Sequence, residues 1–97
     1  MLDLTFNPLA EEEYGAAVER CAAGQGDVHL RFIEMFEAAI LQIRQFPESG
    51  PVARGKIRSK VLSGFPYTIY YSVRPPMLRI LAVAHQRRQP FHWLGRH

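Results

Sequence analysis

The 97-residue chain carries a net charge of +3, with 47% hydrophobic and 22% charged residues, the balance of an ordinary globular protein rather than a disordered or fibrous one. That length predicts one domain over 1–97; no apolar run approaches the roughly 18 residues of a membrane helix, and MLDLTF has neither the basic nor the apolar region of a secretory leader. Cys21, the single cysteine, excludes an internal disulfide and sits among alanines as a small buried hydrophobe, so a cytoplasmic protein with no membrane partner is expected.

LDLTF, residues 2–6, alternates like a short first strand. Asn7 then reads as an N-cap and Pro8 as the first helical residue. Ala10, Tyr14, Ala17, Val18 and Cys21 fall on one helical stripe, and Gly24 and Gly26 end it. Glu11, Glu12 and Glu13 occupy the first turns. The positive end of the helix dipole explains them better than acid–base chemistry does.

A second helix is predicted from the neighbourhood of Asp27, a plausible N-cap, to Phe46, where Pro47 stops it. Phe32, Phe36, Ala39, Ile40 and Ile43 form its apolar stripe; Arg31, Glu34 and Glu37 mark its polar face. PESGP is turn chemistry. Lys56–Leu62 alternates, with Ile57 and Val61 on one face and Lys56, Arg58 and Lys60 on the other. Ser63–Gly64 turns the chain into Tyr67–Val73, a β-branched and aromatic strand. Arg74-Pro75-Pro76 is short enough for a hairpin, and Met77–Ala84 is nearly continuous apolar sequence, as in a central strand. The order β-α-α-β-β-β predicts an α+β fold with two N-terminal helices packed on one face of a small antiparallel sheet, the other face being open.

Charge divides the chain. All nine acidic residues lie between Asp3 and Glu48, whereas residues 51–97 hold none, yet carry nine of the twelve Lys and Arg. The first part is therefore −6 (three basic against nine acidic) and the second +9. An acid-free half points to an anionic partner, nucleic acid or acidic protein. If the last strand runs on without a bulge, Arg79, Leu81, Val83, His85 and Arg87 share the outer face, and Leu78, Ile80, Ala82 and Ala84 face the helices. Arg79, Leu81, Val83, Arg87 and Arg88 are then the candidate partner-binding surface.

No metal or cofactor is expected. His85 and His92 have no Cys, Asp or Glu near them in sequence, and neither GxGxxG nor a P-loop occurs. Metal-free RNA cleavage remains open, since it needs a base, an acid and cations against phosphorane-like charge. Lys56, Arg58, Lys60, His85 and Arg87 are the catalytic candidates, with Tyr67 and Arg88 also of suitable type. The plainer readings compete: a solvated basic face, sheet packing for Tyr67, Tyr70 and Tyr71, and Phe91 and Trp93 tying the tail to the core.

GFPYTIYYSV (64–73) followed by LRILAVAHQRRQPFHW (78–93) resembles the C-terminal half of the RelE/ParE superfamily of bacterial toxins from type II toxin–antitoxin modules. LQIRQFPESG (41–50) is similar to that family's second-helix exit. The resemblance covers roughly residues 32–93, and the first helix by pattern only. It implies the fold already read from the residues, and a growth-inhibiting toxin held silent by a cognate antitoxin. RelE-like members cut mRNA on the ribosome; ParE-like members poison DNA gyrase. HQRRQP is similar to the ParE and plasmid-stabilisation branch. Lys56–Lys60 lies where RelE-like enzymes carry catalytic lysines and arginines, but no tyrosine follows Tyr71, unlike the late catalytic tyrosine common among them. The resemblance thus favours gyrase inhibition, with ribosome-dependent mRNA cleavage, or a binding module without toxicity, as alternatives. It marks Arg88 as the signature residue. Since Arg87 and Arg88 have opposite strand parity, one is expected to point outward, Arg87, and the other to support the fold, Arg88 bonding the carbonyls near Gly64 or Pro75.

Overall fold

A computed structural model describes all 97 residues. The elements are β1 (Asp3–Phe6), α1 (Pro8–Ala22), α2 (Val28–Gln45), β2 (Val52–Arg54), β3 (Ile57–Val61), β4 (Tyr67–Arg74) and β5 (Met77–His85). Asn7 caps α1 as expected: its extended backbone lets Oδ1 accept from the Leu9 N–H at 2.8 Å, and Pro8 follows at the first helical position. Asp27 precedes α2, but its side chain makes no capping bond. Only its carbonyl engages the helix, accepting from the Leu30 and Arg31 N–H groups.

The predicted stripe of α2, Phe32, Phe36, Ala39, Ile40 and Ile43, is buried throughout. It meets Ala10 and Ala17 of α1 and Ile69, Tyr71, Leu78, Ile80 and Val83 of the sheet in one cluster. Each fully buried side chain of this size contributes roughly 1.5–3 kcal/mol relative to exposure. Aromatic rings close the interior, with Tyr14 and Phe36 at 4.5 Å and Phe32 and Tyr67 at 5.4 Å between centroids. Arg44 ties α2 to β1 by donating from Nε to the Leu2 carbonyl at 2.8 Å.

The α+β order holds, but the sheet is mixed and has five strands in the order β1-β5-β4-β3-β2. β3, β4 and β5 pair antiparallel through short turns, whereas β1 pairs parallel to β5. The two helices carry the chain from β1 at one edge of the sheet to β2 at the other, and the meander β2-β3-β4-β5 returns to lie beside β1. β2, three residues between Pro51 and Gly55, was not anticipated. Tyr71 donates to the Pro47 carbonyl at 3.0 Å, and Arg58 donates to those of Glu48 and Gly50 at 3.2 and 2.7 Å. These bonds pin the turn that leads into β2. No helix is long and apolar enough to cross a membrane.

A bulge overturns the expected parity of the last strand. Tyr70 pairs with Ala82 but Tyr71 with Ile80, so Leu81 is an extra residue in β5. After it the faces exchange. Val83 joins Leu78 and Ile80 in the core, while Ala82 and Ala84 stand opposite Tyr70 and Thr68 on the outer face.

That outer face is not open. After β5 the tail folds back across it, and the Trp93 indole stacks on Tyr70 at 4.7 Å between centroids, only 1% exposed. Leu81 (1%) and Val83 (2%) are also buried. The expected apolar anchor on the sheet therefore offers no surface in the free chain. Of the expected partner-binding set, Arg79 is half-buried, its Nη2 3.4 Å from the His97 main-chain oxygen.

Candidate functional site

β5 stops at His85, because the chain turns there. Gln86 N–H donates to the Pro66 carbonyl at 2.8 Å, Arg88 N–H to the His85 carbonyl at 2.8 Å, and Arg87 N–H to His85 Nδ1 at 3.1 Å. The strand does not continue through residue 87. Arg87 and Arg88 both stand exposed on this turn. Arg88 is not bonded to the carbonyls near Gly64 or Pro75; the arginines that pin main-chain oxygens are Arg44, Arg58, Arg79 and Arg96. The distinction expected between an outward Arg87 and a structural Arg88 is absent, since both are free.

The turn forms one wall of a groove of about 630 Å³ lined by Arg20, Pro66, His85, Gln86, Arg87 and Arg88. Arg20 enters from the last turn of α1, where a cation also suits the negative end of the helix dipole. No carboxylate lines the groove. His85 packs edge-on against Tyr67 at 5.1 Å. Its Nδ1 accepts from Arg87, so the neutral ring carries its proton on Nε2 and presents a donor there. The result is a gathered set of N–H donors and positive charge suited to an oxyanion.

A second cluster holds this wall in place. β1 ends opposite Ile80, leaving the edge of β5 beyond it without a strand partner. Glu13 of α1 fills the gap: Oε1 accepts from the Val83 N–H at 3.1 Å and from Arg96 Nη1 at 2.7 Å, and Oε2 accepts from Arg96 Nη2 at 3.3 Å. His92 Nε2 lies 3.0 Å from the same Oε2, and Arg96 Nη1 also reaches the Leu81 carbonyl at 3.0 Å. Burial alone would raise the Glu13 carboxyl. Arg96, the Val83 N–H and His92 together outweigh it and hold the group below its ordinary value. The helix dipole therefore accounts for Glu11, which is exposed in the first turn, but not for Glu13.

The five catalytic candidates are not brought together. Lys56 and Arg58 line a groove with Pro47, Glu48 and Tyr71. His85 and Arg87 line the basic groove at the end of β5. Lys60 pairs across to Ile69 on β4, which in turn pairs with Val83, two strands away from β5's exposed end. Arg58 is committed to the turn at residues 48–50. Burial pushes the Cys21 thiol up, outweighing the neighbouring Arg20, which suits an inert side chain. No three His, Cys, Asp or Glu side chains gather as a metal set.

The family model described as the ParE toxin of the type II toxin-antitoxin system, parDE, matches residues 4–90. The chain belongs to the ParE toxin family. Among solved structures it is similar to a chain of the chromosomal ParDE TA system from P. aeruginosa, with a TM-score of 0.73 and 16% identity over 88% of this chain and 96% of that one. At that identity the likeness concerns the fold. No protein of curated function matches the sequence.

In this ParE-family chain, sequence reasoning missed Arg20 and the role of Glu13. Arg20 lies in the acidic part of the sequence and 67 positions before Arg87, so no local motif joins them. Glu13 reads like an ordinary acid of the first turns, and only the absence of any other acid near His92 and Arg96 in sequence hints that those side chains lack a local partner.

Proposed function

We propose that this ParE-family toxin arrests growth through DNA gyrase, acting in the cytoplasm, and is neutralised by a cognate antitoxin. Family membership supports the toxin reading. The choice between gyrase and RNA rests on one observation: the nuclease candidates divide between separate grooves, Lys56 and Arg58 in one and His85 and Arg87 in the other, where Arg20 and Arg88 join them. Cleavage through a 2′-OH needs acid, base and phosphate-binding cation within hydrogen-bond reach of one phosphate. A docking surface needs only fixed complementary charge. The basic groove is the surface that meets the target.

The antitoxin is expected to bring apolar anchors and acidic residues. With the sheet covered by the tail, an apolar groove of about 440 Å³ lies between β1, α1 and α2, walled by Leu4, Phe6, Tyr14, Phe36, Ile40 and Leu41. It suits the apolar face of an amphipathic segment. Induction of the toxin alone, with and without the neighbouring antitoxin, tests the proposal. The expected result is arrest with filamentation and an SOS response, bulk mRNA remaining intact, and relief by the antitoxin. Codon-spaced cuts in ribosome-bound mRNA would establish the nuclease reading instead.

A further inference from the structure

The arginines of this chain fall into distinct groups. Arg44, Arg58, Arg79 and Arg96 are engaged by main-chain oxygens or by Glu13. Arg20, Arg87 and Arg88 are exposed, take part in no ion pair, and line one groove. Glu13 lines the adjoining recess with Arg20, His85 and Arg88, but its carboxylate is engaged by Arg96 and His92. Like charges gathered with no carboxylate in ion-pair contact repel each other, and a bound anion relieves that repulsion. Apart from Pro66, the lining is polar or charged throughout. Such a lining favours contact through charge over contact through apolar anchors. It suits a ligand whose charge repeats along its length.

The groove continues past His85, Gln86 and Arg88 into a second recess whose walls include Phe91 and His92. Phe91 sits at φ 60°, in the left-handed region that a bulky residue rarely adopts. This backbone leaves its ring 45% exposed, 5.8 Å from the Arg54 guanidinium. Arg54 lies over one face of the ring and Arg88 shares the recess with it. An exposed ring beside unpaired cations is an arrangement on which unpaired bases stack. We propose that the groove binds the phosphate backbone of a single nucleic-acid strand, with one base stacked on Phe91. This rests on the groove being the target-facing surface of the toxin, and adds that the toxin touches nucleic acid there directly.

Fluorescence anisotropy with the full chain and labelled 12-mers tests it. The probes are single-stranded oligothymidylate, oligouridylate and a duplex, with polyglutamate of equal charge as a competitor. Single strands are expected to bind, with log K falling against log salt at a slope of about −2, three phosphates at roughly 0.7 each. The deoxy and ribo strands separate DNA from RNA as the source of the phosphates. Arg20→Ala, Arg87→Ala and Arg88→Ala should each reduce the slope by about 0.7. Phe91→Leu should weaken binding about tenfold at unchanged slope. Arg31→Ala and Arg74→Ala, exposed cations outside the groove, should change nothing.

Failure of every oligonucleotide to bind at low salt overturns the inference. So does equal weakening by Arg31→Ala and Arg74→Ala, or preference for the duplex with Phe91→Leu silent. Displacement by polyglutamate through the same arginines would assign the groove to an acidic protein. Growth arrest is scored separately with the same variants. Arrest that persists without strand binding removes this inference alone, whereas wild-type protein that causes no arrest removes the toxin reading.

Discussion

Replacing Glu13 by Gln tests the contact that closes the tail over the sheet. The substitution keeps the size of the side chain and removes its charge. The carboxylate is 19% exposed and receives two bonds from Arg96 and one from the Val83 N–H, with His92 beside it. A hydrogen bond to a charged group contributes about 1.5–3 kcal/mol when counted singly. These bonds share one carboxylate and do not add, and Gln keeps one oxygen that can still accept. The expected loss is about 2–3 kcal/mol. For a domain of this size that lowers the melting temperature by roughly 8–20 °C.

Trp93, the single tryptophan, reports the local event. Its buried indole should become wetted, and its emission should shift to the red. The dependence on pH has a definite sign. Glu13 titrates near 4.5 in the unfolded chain and lower when folded, so the unfolded state binds more protons between the two values. The stabilisation is complete above 4.5 and disappears as the pH falls through the lower, folded value. The gap between wild type and Glu13→Gln should be widest near neutrality and close on acidification. Melting temperatures within about 2 °C of each other at pH 7, with unchanged emission, would refute the assignment of Glu13 as the clasp.

Arg87→Ala and Arg88→Ala should each leave the thermal melt within about 0.5 kcal/mol of wild type, because both side chains are exposed, while weakening growth arrest on induction; a large loss of stability in either would contradict their placement. Gly50→Ala should destabilise the fold by about 1–3 kcal/mol in chemical denaturation, since the added Cβ would press on the Ser59 carbonyl and the Tyr71 hydroxyl, whereas Gly15→Ala, where the Cβ meets nothing, should not. Leu41→Asp, in the exposed part of the groove between the helices and β1, should reduce co-purification of the antitoxin without loss of secondary structure by circular dichroism.

The helices were legible because a 3.6-residue period is a local signal, and the α2 stripe proved to be the core stripe residue for residue. β3, β4 and β5 were legible from alternation and the turn residues between them. What escaped was long-range. The parallel pairing of β1 with β5 joins residues more than 70 positions apart, and no local period encodes which strand a first strand will join. The bulge at Leu81 lies within ILAVA, where residues of both parities are apolar, so the exchange of faces left no mark in the pattern. β2 is too short to alternate. The expected open face fails for a related reason: the sequence suggests that Trp93 ties the tail to the core but does not encode its landing site on Tyr70, and that contact covers the face expected to meet a partner. At the basic site, His85, Arg87 and Arg88 were found from sequence because they are contiguous. Arg20 was not, because only the packing of α1 against β5 brings it there.

Gyrase inhibition is measured with purified protein added to DNA gyrase and plasmid. Supercoiling should be lost and gyrase-cleaved DNA should accumulate, both reversed by stoichiometric antitoxin and both weakened by Arg87→Ala with Arg88→Ala. Normal supercoiling at excess toxin, with active protein confirmed by its binding to the antitoxin, would contradict gyrase inhibition.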